Sequence, residues 1–308
     1  MATSPKKNPT IGVFDSGVGG LTVLKELLRL VPQADYLYFG DTARLPYGSK
    51  SVETVAKYTI SSAHFLQDRG IDLLVVACNT ATALAFDQIK AALPVPVIGV
   101  IEPGAGRAAS ASHSQSVAVI ATEATVASHA YQRALAQRGL RSREIACPLL
   151  VPLVEEGWLD HAVTEQVAKI YLAQVFDGAR AASVASASAE KSTGKQPQSP
   201  SVTAAAKADV LLLGCTHYPL LRPLLERITP AGVTIVDSAE STAQAVADYL
   251  ANGQRTPGAV KSPDHPIAKS AAPTIHFFAT DSVEKFRRLG ERFIGHAIQN
   301  VEHVDIEL

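Results

Sequence analysis

At 308 residues the chain is long enough for two ordinary domains. It is 47% apolar, so a sizeable core can form, and a formal charge of −1 without a long basic block argues against nucleic-acid binding as its main task. No apolar run nears the roughly 18 residues of a spanning helix, and residues 1–10 lack the apolar stretch of a secretion signal, so the reading is a soluble, cytoplasmic protein with no membrane partner.

The first element is a short apolar strand, residues 11–14, that ends on Asp15 and Ser16. A glycine-rich turn, GVGG at 17–20, leads into a helix. Its Leu21, Leu24, Leu28 and Val31 repeat at helical spacing until Pro32 stops them. A second strand is predicted near 36–39. The loop 40–49 follows, punctuated by Pro46 and Gly48. Ser51 is placed to cap the next helix, with Glu53 in its first turn and Val52, Val55, Ala56, Ala63 and Leu66 on one face. The run LLVVA at 73–77 has the length of a buried strand and delivers Cys78, then Asn79, Thr80 and Thr82 at the start of a helix. Residues 96–101 are a further strand.

The alternation restarts at Val117–Ala121 and ends on Thr122, as the first strand ends on Asp15 and Ser16. Helices are predicted over about 125–138, closed by Gly139, and over about 160–181. Residues 181–207 are low-complexity and cannot offset their ordering entropy, which predicts a mobile surface loop or a frayed helix end. The run VLLLG at 210–214 delivers Cys215, Thr216 and His217. A strand at 233–236 and a helix at 241–250 follow. Residues 252–273, rich in Pro, Lys and Ser, are a second mobile connection. In the tail, Val283, Phe286, Leu289 and Phe293 again have helical spacing.

Strands alternating with helices predict an α/β fold with parallel sheets. Residue 11 matches 117 and Cys78 matches Cys215, offsets of 106 and 137 residues, so the halves are pseudo-symmetric with an insertion between them. Both matched cysteines fall at carboxyl strand ends, where open α/β sheets place ligands. The turn after Asp15 offers N–H groups at a helix start that attract anions. It is neither a dinucleotide fingerprint nor a phosphate loop, and a plain β–α turn reads the same way.

An odd, low cysteine count argues against a disulfide framework. Cys147, among apolar neighbours, reads as a small buried hydrophobe. Three readings of Cys78 and Cys215 compete. Zinc held with His217 lacks ligand spacing. Nucleophilic Cys–His catalysis needs only one thiol. A pair of acid–base thiols on opposite faces of one carbon uses both, with sulfurs on the order of 7 Å apart, too far for a disulfide.

Five stretches carry a resemblance. They are IGVFDSGVGGLTV (11–23), GDTARLPYG (40–48), ACNTATA (77–83), CPLLVPLVEEG (147–157) and GCTHYPLL (214–221). In that order they resemble the glutamate racemases of the cofactor-independent aspartate/glutamate racemase superfamily. The resemblance runs from about residue 10 to 250 and again over Phe278–Gly295. The insertion at 181–207 departs from it.

It implies two pseudo-symmetric, doubly wound α/β domains with the active site at their interface. The expected bounds are 9–102 with about 220–308 for the first domain, and 103–219 for the second. It implies that Cys78 and Cys215 are the bases for D- and L-glutamate, assisted by Asp15 and His217 respectively, with Glu155 near the second thiol. Substrate contacts would come from Asp15, Ser16, Tyr47, Gly48, Asn79, Thr80, Thr122, Thr216 and His217. No cofactor and no metal are implied, the partner is the small substrate, and the assembly is a homodimer. The role implied is supply of D-glutamate for bacterial peptidoglycan.

Three rivals stand beside this reading. A pyridoxal-phosphate racemase would need a Schiff-base lysine, and none sits at a predicted strand end by the motifs. An aspartate racemase would share the superfamily. A non-catalytic amino-acid-binding or regulatory protein could use the same fold.

Overall fold

The computed structural model describes residues 8–177, 207–252 and 273–306. The expected mobile stretches 181–207 and 252–273 therefore lie outside the described residues, apart from Lys207, Asn252 and Pro273. The chain opens with β1 (Thr10–Asp15), α1 (Leu21–Leu30), β2 (Asp35–Gly40), α2 (Val52–Asp68), β3 (Leu73–Val76), α3 (Asn79–Ala92) and β4 (Val97–Gly99). Next come α4 (Ile101–Ala111), β5 (Ser116–Ala121), α5 (Glu123–Ala127), α6 (Ala130–Ala136), β6 (Arg141–Ala146), α7 (Leu150–Glu155) and α8 (Ala162–Asp177). After them lie β7 (Val210–Gly214), α9 (Arg222–Ile228), β8 (Thr234–Asp237) and α10 (Ser238–Ala251). The chain closes with β9 (Ile275–Ala279), α11 (Val283–Ile294) and β10 (Val301–His303).

Two all-parallel sheets result. One has the order β10-β9-β2-β1-β3-β4 and the other β6-β5-β7-β8. The second repeats the β2-β1-β3-β4 core of the first. The register bears out both sequence offsets: Phe14 pairs with Val76, and Ile120 with Leu213. In each sheet the chain leaves its second-position strand to one side, then returns to the other. That reversal opens a crevice at the carboxyl ends of β1 and β3, and of β5 and β7.

The strands read as continuous apolar runs because both their faces are covered. Ile11, Val13, Leu73 and Val75 share one continuous core with Ala118, Ile120, Leu211 and Leu213 of the other sheet. Phe14, Leu74 and Val76 pack on the outer face of the first sheet, and Val117, Val119, Val210 and Leu212 on that of the second. α10 packs on both α1 and α4, bridging the halves.

Several expectations are corrected. The helix expected over 125–138 is two helices. Ser128 Oγ donates to Thr125 O at 2.6 Å and accepts from Ala130 N at 3.2 Å, and this local turn competes with the helix. His129 sits there at φ 55°. The strand expected over 96–101 stops at Gly99, and α4 begins at Ile101. Val52 is exposed, although Ser51 caps α2 as expected by accepting from Thr54 N at 3.3 Å. By sheet membership the second half extends past residue 220, because β8 pairs with β7.

The two undescribed internal stretches leave from the ends of α8 and α10 and rejoin at the starts of β7 and β9. Both junctions are on the amino-terminal edges of the sheets, opposite the crevice.

Candidate active site

β1 ends on Asp15, which is buried, and its Oδ2 accepts from Gly17 N at 2.8 Å. Its Oδ1 is buried without a hydrogen-bond partner. β3 delivers Cys78, which caps α3. Its Sγ accepts from Ala81 N at 3.5 Å and donates to Ser16 Oγ at 3.5 Å. A sulfur at a helix N-terminus is where a thiolate is best tolerated. Burial comes first, however, and together with the charge of Asp15 it pushes the Cys78 thiol up to about 12. Cys78 in this state holds its proton. Burial also raises Asp15, against the pull of the His217 charge.

The second half is arranged differently. β7 delivers Cys215, whose Sγ is 3.9 Å from His217 Nδ1. His217 Nε2 donates to Glu155 Oε1 at 3.2 Å. Burial opposes a charge on His217, but its bonds to Cys215 and Glu155 outweigh that and hold it up at about 10. The bond from His217 likewise holds Glu155 below the usual carboxylate range. The second thiol therefore faces an imidazolium, while the first is a neutral thiol.

The tail reaches this dyad. Phe293 of α11 sets its ring edge-on to His217 at 5.1 Å between centroids. Arg292 donates to Glu155 O at 3.1 Å, and Lys285 Nζ lies 4.0 Å from Glu155 Oε2.

The halves meet across the crevice. Thr80 Oγ1 lies 3.0 Å from Thr122 Oγ1 and 3.4 Å from Thr125 Oγ1, and the latter two are 2.9 Å apart. A methyl group on Gly48 would stand 2.9 Å from Thr122 Cβ. Gly19 packs so tightly on the β7 loop that a methyl there would overlap Thr216 Oγ1 and lie 2.6 Å from His217 Nδ1. Thr22 Oγ1 donates to Thr216 O at 3.2 Å. The structure thus gathers Asp15, Ser16, Cys78, Asn79 and Thr80 from the first half, and Thr122, Glu155, Thr216, His217 and Cys215 from the second.

Tyr47 is placed otherwise than a hydroxyl contact would need. Its phenol donates to Asp41 Oδ2 at 2.5 Å and its ring packs on Phe14 and Tyr58. The Asp41 carboxylate also takes Thr280 Oγ1 and Arg44 Nη1, so it anchors the whole loop that carries Gly48. Residues that sequence reasoning missed are Thr125, Asp41, Phe293 and Tyr131, the last accepting from Asn79 Nδ2 at 2.7 Å. Helical spacing marked Phe293 as a core residue. Asp41 lies in the GDTARLPYG stretch that carries the resemblance, and nothing in the sequence tied Thr125 or Tyr131 to the site.

The state of His217 gives a prediction. Its pKa in the folded protein exceeds the unfolded 6.5, so its stabilisation is complete below pH 6.5 and is lost as pH rises through about 10. Glu155→Gln removes one of the groups holding the charge. The His217 titration, followed by imidazole NMR, should then move down toward 6.5. An unchanged titration would show that Glu155 does not hold the ring charged.

Two like-ordered parallel sheets that bring one buried cysteine each to a common crevice define the two-domain α/β racemase class. Known proteins agree. The Asp/Glu/Hydantoin racemase family model matches residues 11–191. The chain belongs to this family and is an amino-acid racemase. It is 54% identical to a glutamate racemase of Koribacter versatilis over 98% of this chain and 99% of that one. The crystal structure of a glutamate racemase isoform from Bacillus anthracis aligns with a TM-score of 0.79 at 35% identity, over 97% of this chain and 98% of that one. That of the Francisella tularensis glutamate racemase in complex with D-glutamate aligns with a TM-score of 0.77 at 31% identity, again over 97% and 98%. Among the described residues no helix is long and apolar enough to cross a membrane.

Proposed function

We propose that this racemase interconverts L- and D-glutamate by moving protons between Cα and two thiols. The observation that carries the reading is the pair Cys78 and Cys215 at register-matched strand ends, 4% and 6% exposed, each with its own acid–base neighbour. With L-glutamate, the Cys215 thiolate takes the Cα proton beside the His217 imidazolium. The Cys78 thiol then gives its own proton to the opposite face of the carbanion. With D-glutamate the order reverses, and Asp15 and Ser16 serve Cys78.

The surroundings fit this substrate. Hydroxyls of Ser16, Thr80, Thr122 and Thr216 can donate to carboxylates, and the His217 imidazolium beside Thr216 adds a favourable charge. Asp15 Oδ1 and Asn79 Oδ1, buried and unpaired, are acceptors suited to an ammonium group. A dry site makes fixed donors worth far more to the developing carbanion than they would be in water. Relatives 38–54% identical over nearly the whole chain are glutamate racemases, which supports glutamate over aspartate. Provision of D-glutamate for peptidoglycan, which the resemblance implies, is the matching role.

The test is Cα exchange. Incubated separately with D- and L-glutamate in heavy water without added cofactor, the protein should return deuterated product of opposite hand. The gene should also restore growth of a bacterium that requires D-glutamate. Absence of both exchange and racemisation would remove the glutamate reading.

A further inference from the structure

Asn79 opens α3 and reaches across the crevice. Its Nδ2 donates to Tyr131 Oη at 2.7 Å, while its Oδ1 is buried without a partner. Tyr131 belongs to α6 of the other half and is fully buried. Its ring lies on the backbone just before Cys215, where a methyl on Gly214 would come within 2.9 Å of Tyr131 Cε2. Its hydroxyl has close neighbours on the far side too. A methyl on Gly104 of α4 would stand 3.6 Å from Tyr131 Oη and 3.2 Å from Ser238 Cβ, and the Ser238 side chain bonds to the phenol. The phenol oxygen is thus bonded from α3 through Asn79 and from α10 through Ser238. A phenylalanine ring would fill the same space without that oxygen.

A side-chain amide has a donor end and an acceptor end, and an unanchored one can turn through 180°. We infer that Tyr131 is a positioning residue: by accepting from Asn79 Nδ2 it turns Asn79 Oδ1 toward the reacting carbon, where it accepts from the ammonium group of the amino acid. The inference rests on the two-thiol reading of the site. Without the phenol, the Asn79 amide can present its NH2 to a cation, which repels it. A hydrogen bond to a charged group is worth a factor of about ten to a hundred in binding, so the orientation matters at that scale.

The test combines Tyr131→Phe with Asn79→Ala in a double-mutant cycle, using the full chain and D- and L-glutamate. Tyr131→Phe alone should raise KM about tenfold or more, with a smaller change in kcat and a melting temperature close to the parent's. In the Asn79→Ala background the same change should do nothing further. An equal KM effect in both backgrounds, or none in the parent, overturns the inference. A second readout needs no turnover. In the parent, the Asn79 side-chain NH2 should exchange slowly with solvent by NMR, and Tyr131→Phe should abolish that protection. Fast exchange in the parent overturns the inference whether or not the variant folds. Slow exchange in a parent that does not racemise glutamate would leave Tyr131 holding Asn79 while removing the reading of the thiols.

Discussion

Cys215→Ser and Cys78→Ser are each expected to lower racemisation by about 10²–10⁴-fold, the range typical of a positioned acid–base group. Serine keeps the size of the side chain but does not form, at neutral pH, the anion needed to take a proton from Cα, so neither direction of the reaction can begin at that position and end at the other. Loss of fold would not explain the result at Cys78. That residue caps α3, and serine is a preferred N-cap. At Cys215 the side chain is 6% exposed and touches His217, so a hydroxyl remains paired. The decisive comparison is turnover in both directions alongside circular dichroism. Turnover within tenfold of the parent in either variant would exclude the missing thiol as an essential base.

Gly19→Ala should be nearly as damaging although Gly19 bears no chemistry. Its backbone is not in the left-handed region, so conformation does not demand glycine there. Close approach does. The added methyl would run into Thr216 Oγ1 and the His217 ring, and that ring is held by Glu155 on one side and Phe293 on another. Something must shift, and the cheapest shift moves the loop that carries Cys215 and His217. A displacement of about 1 Å can cost on the order of 10² in rate, and overpacking commonly costs about 1–3 kcal/mol in stability. Gly106→Ala is the control. Its methyl meets only the Arg138 side chain at 3.8 Å, within helix α4. That variant should be fully active and about 0.5–1 kcal/mol more stable. Equal activity of the two variants would show that the contact between the halves at Gly19 is slack.

The strands and thiols were legible because their signals are local. An apolar run of five residues followed by cysteine and hydroxyls states both the strand and which end faces a ligand. The pseudo-symmetry was legible for the same reason, since it repeats that pattern. The edge strands β6 and β10 were not, although the edges β4 and β8 were. β6 reads RSREIA and has no continuous apolar run, because one side of it faces solvent. α4 was missed because its glycines and Pro103 read as loop, although proline in a first helical turn leaves no bond unmade.

Partnerships across the fold were the least legible. Asn79 and Tyr131 are 52 residues apart, and His217 and Glu155 are 62 apart. Resemblance supplied Glu155, and the geometry then gave it a physical task. Tyr131 came from neither source. It lies just past the local turn at Ser128 that broke the expected helix, so the pattern used to read that stretch was itself wrong there.

The strand ends divide labour along the length of the molecule. Every group that could touch a substrate lies at the carboxyl edges of the sheets. The stretch that upsets the match in length between the halves, after Asp177, and the second undescribed stretch, after Asn252, both join at the opposite edges. Drift in chain length and conservation of geometry can therefore proceed side by side in one gene. For protein engineering, a peptide joined between Asp177 and Lys207 would enter and leave the described fold at the edge away from Cys78 and Cys215.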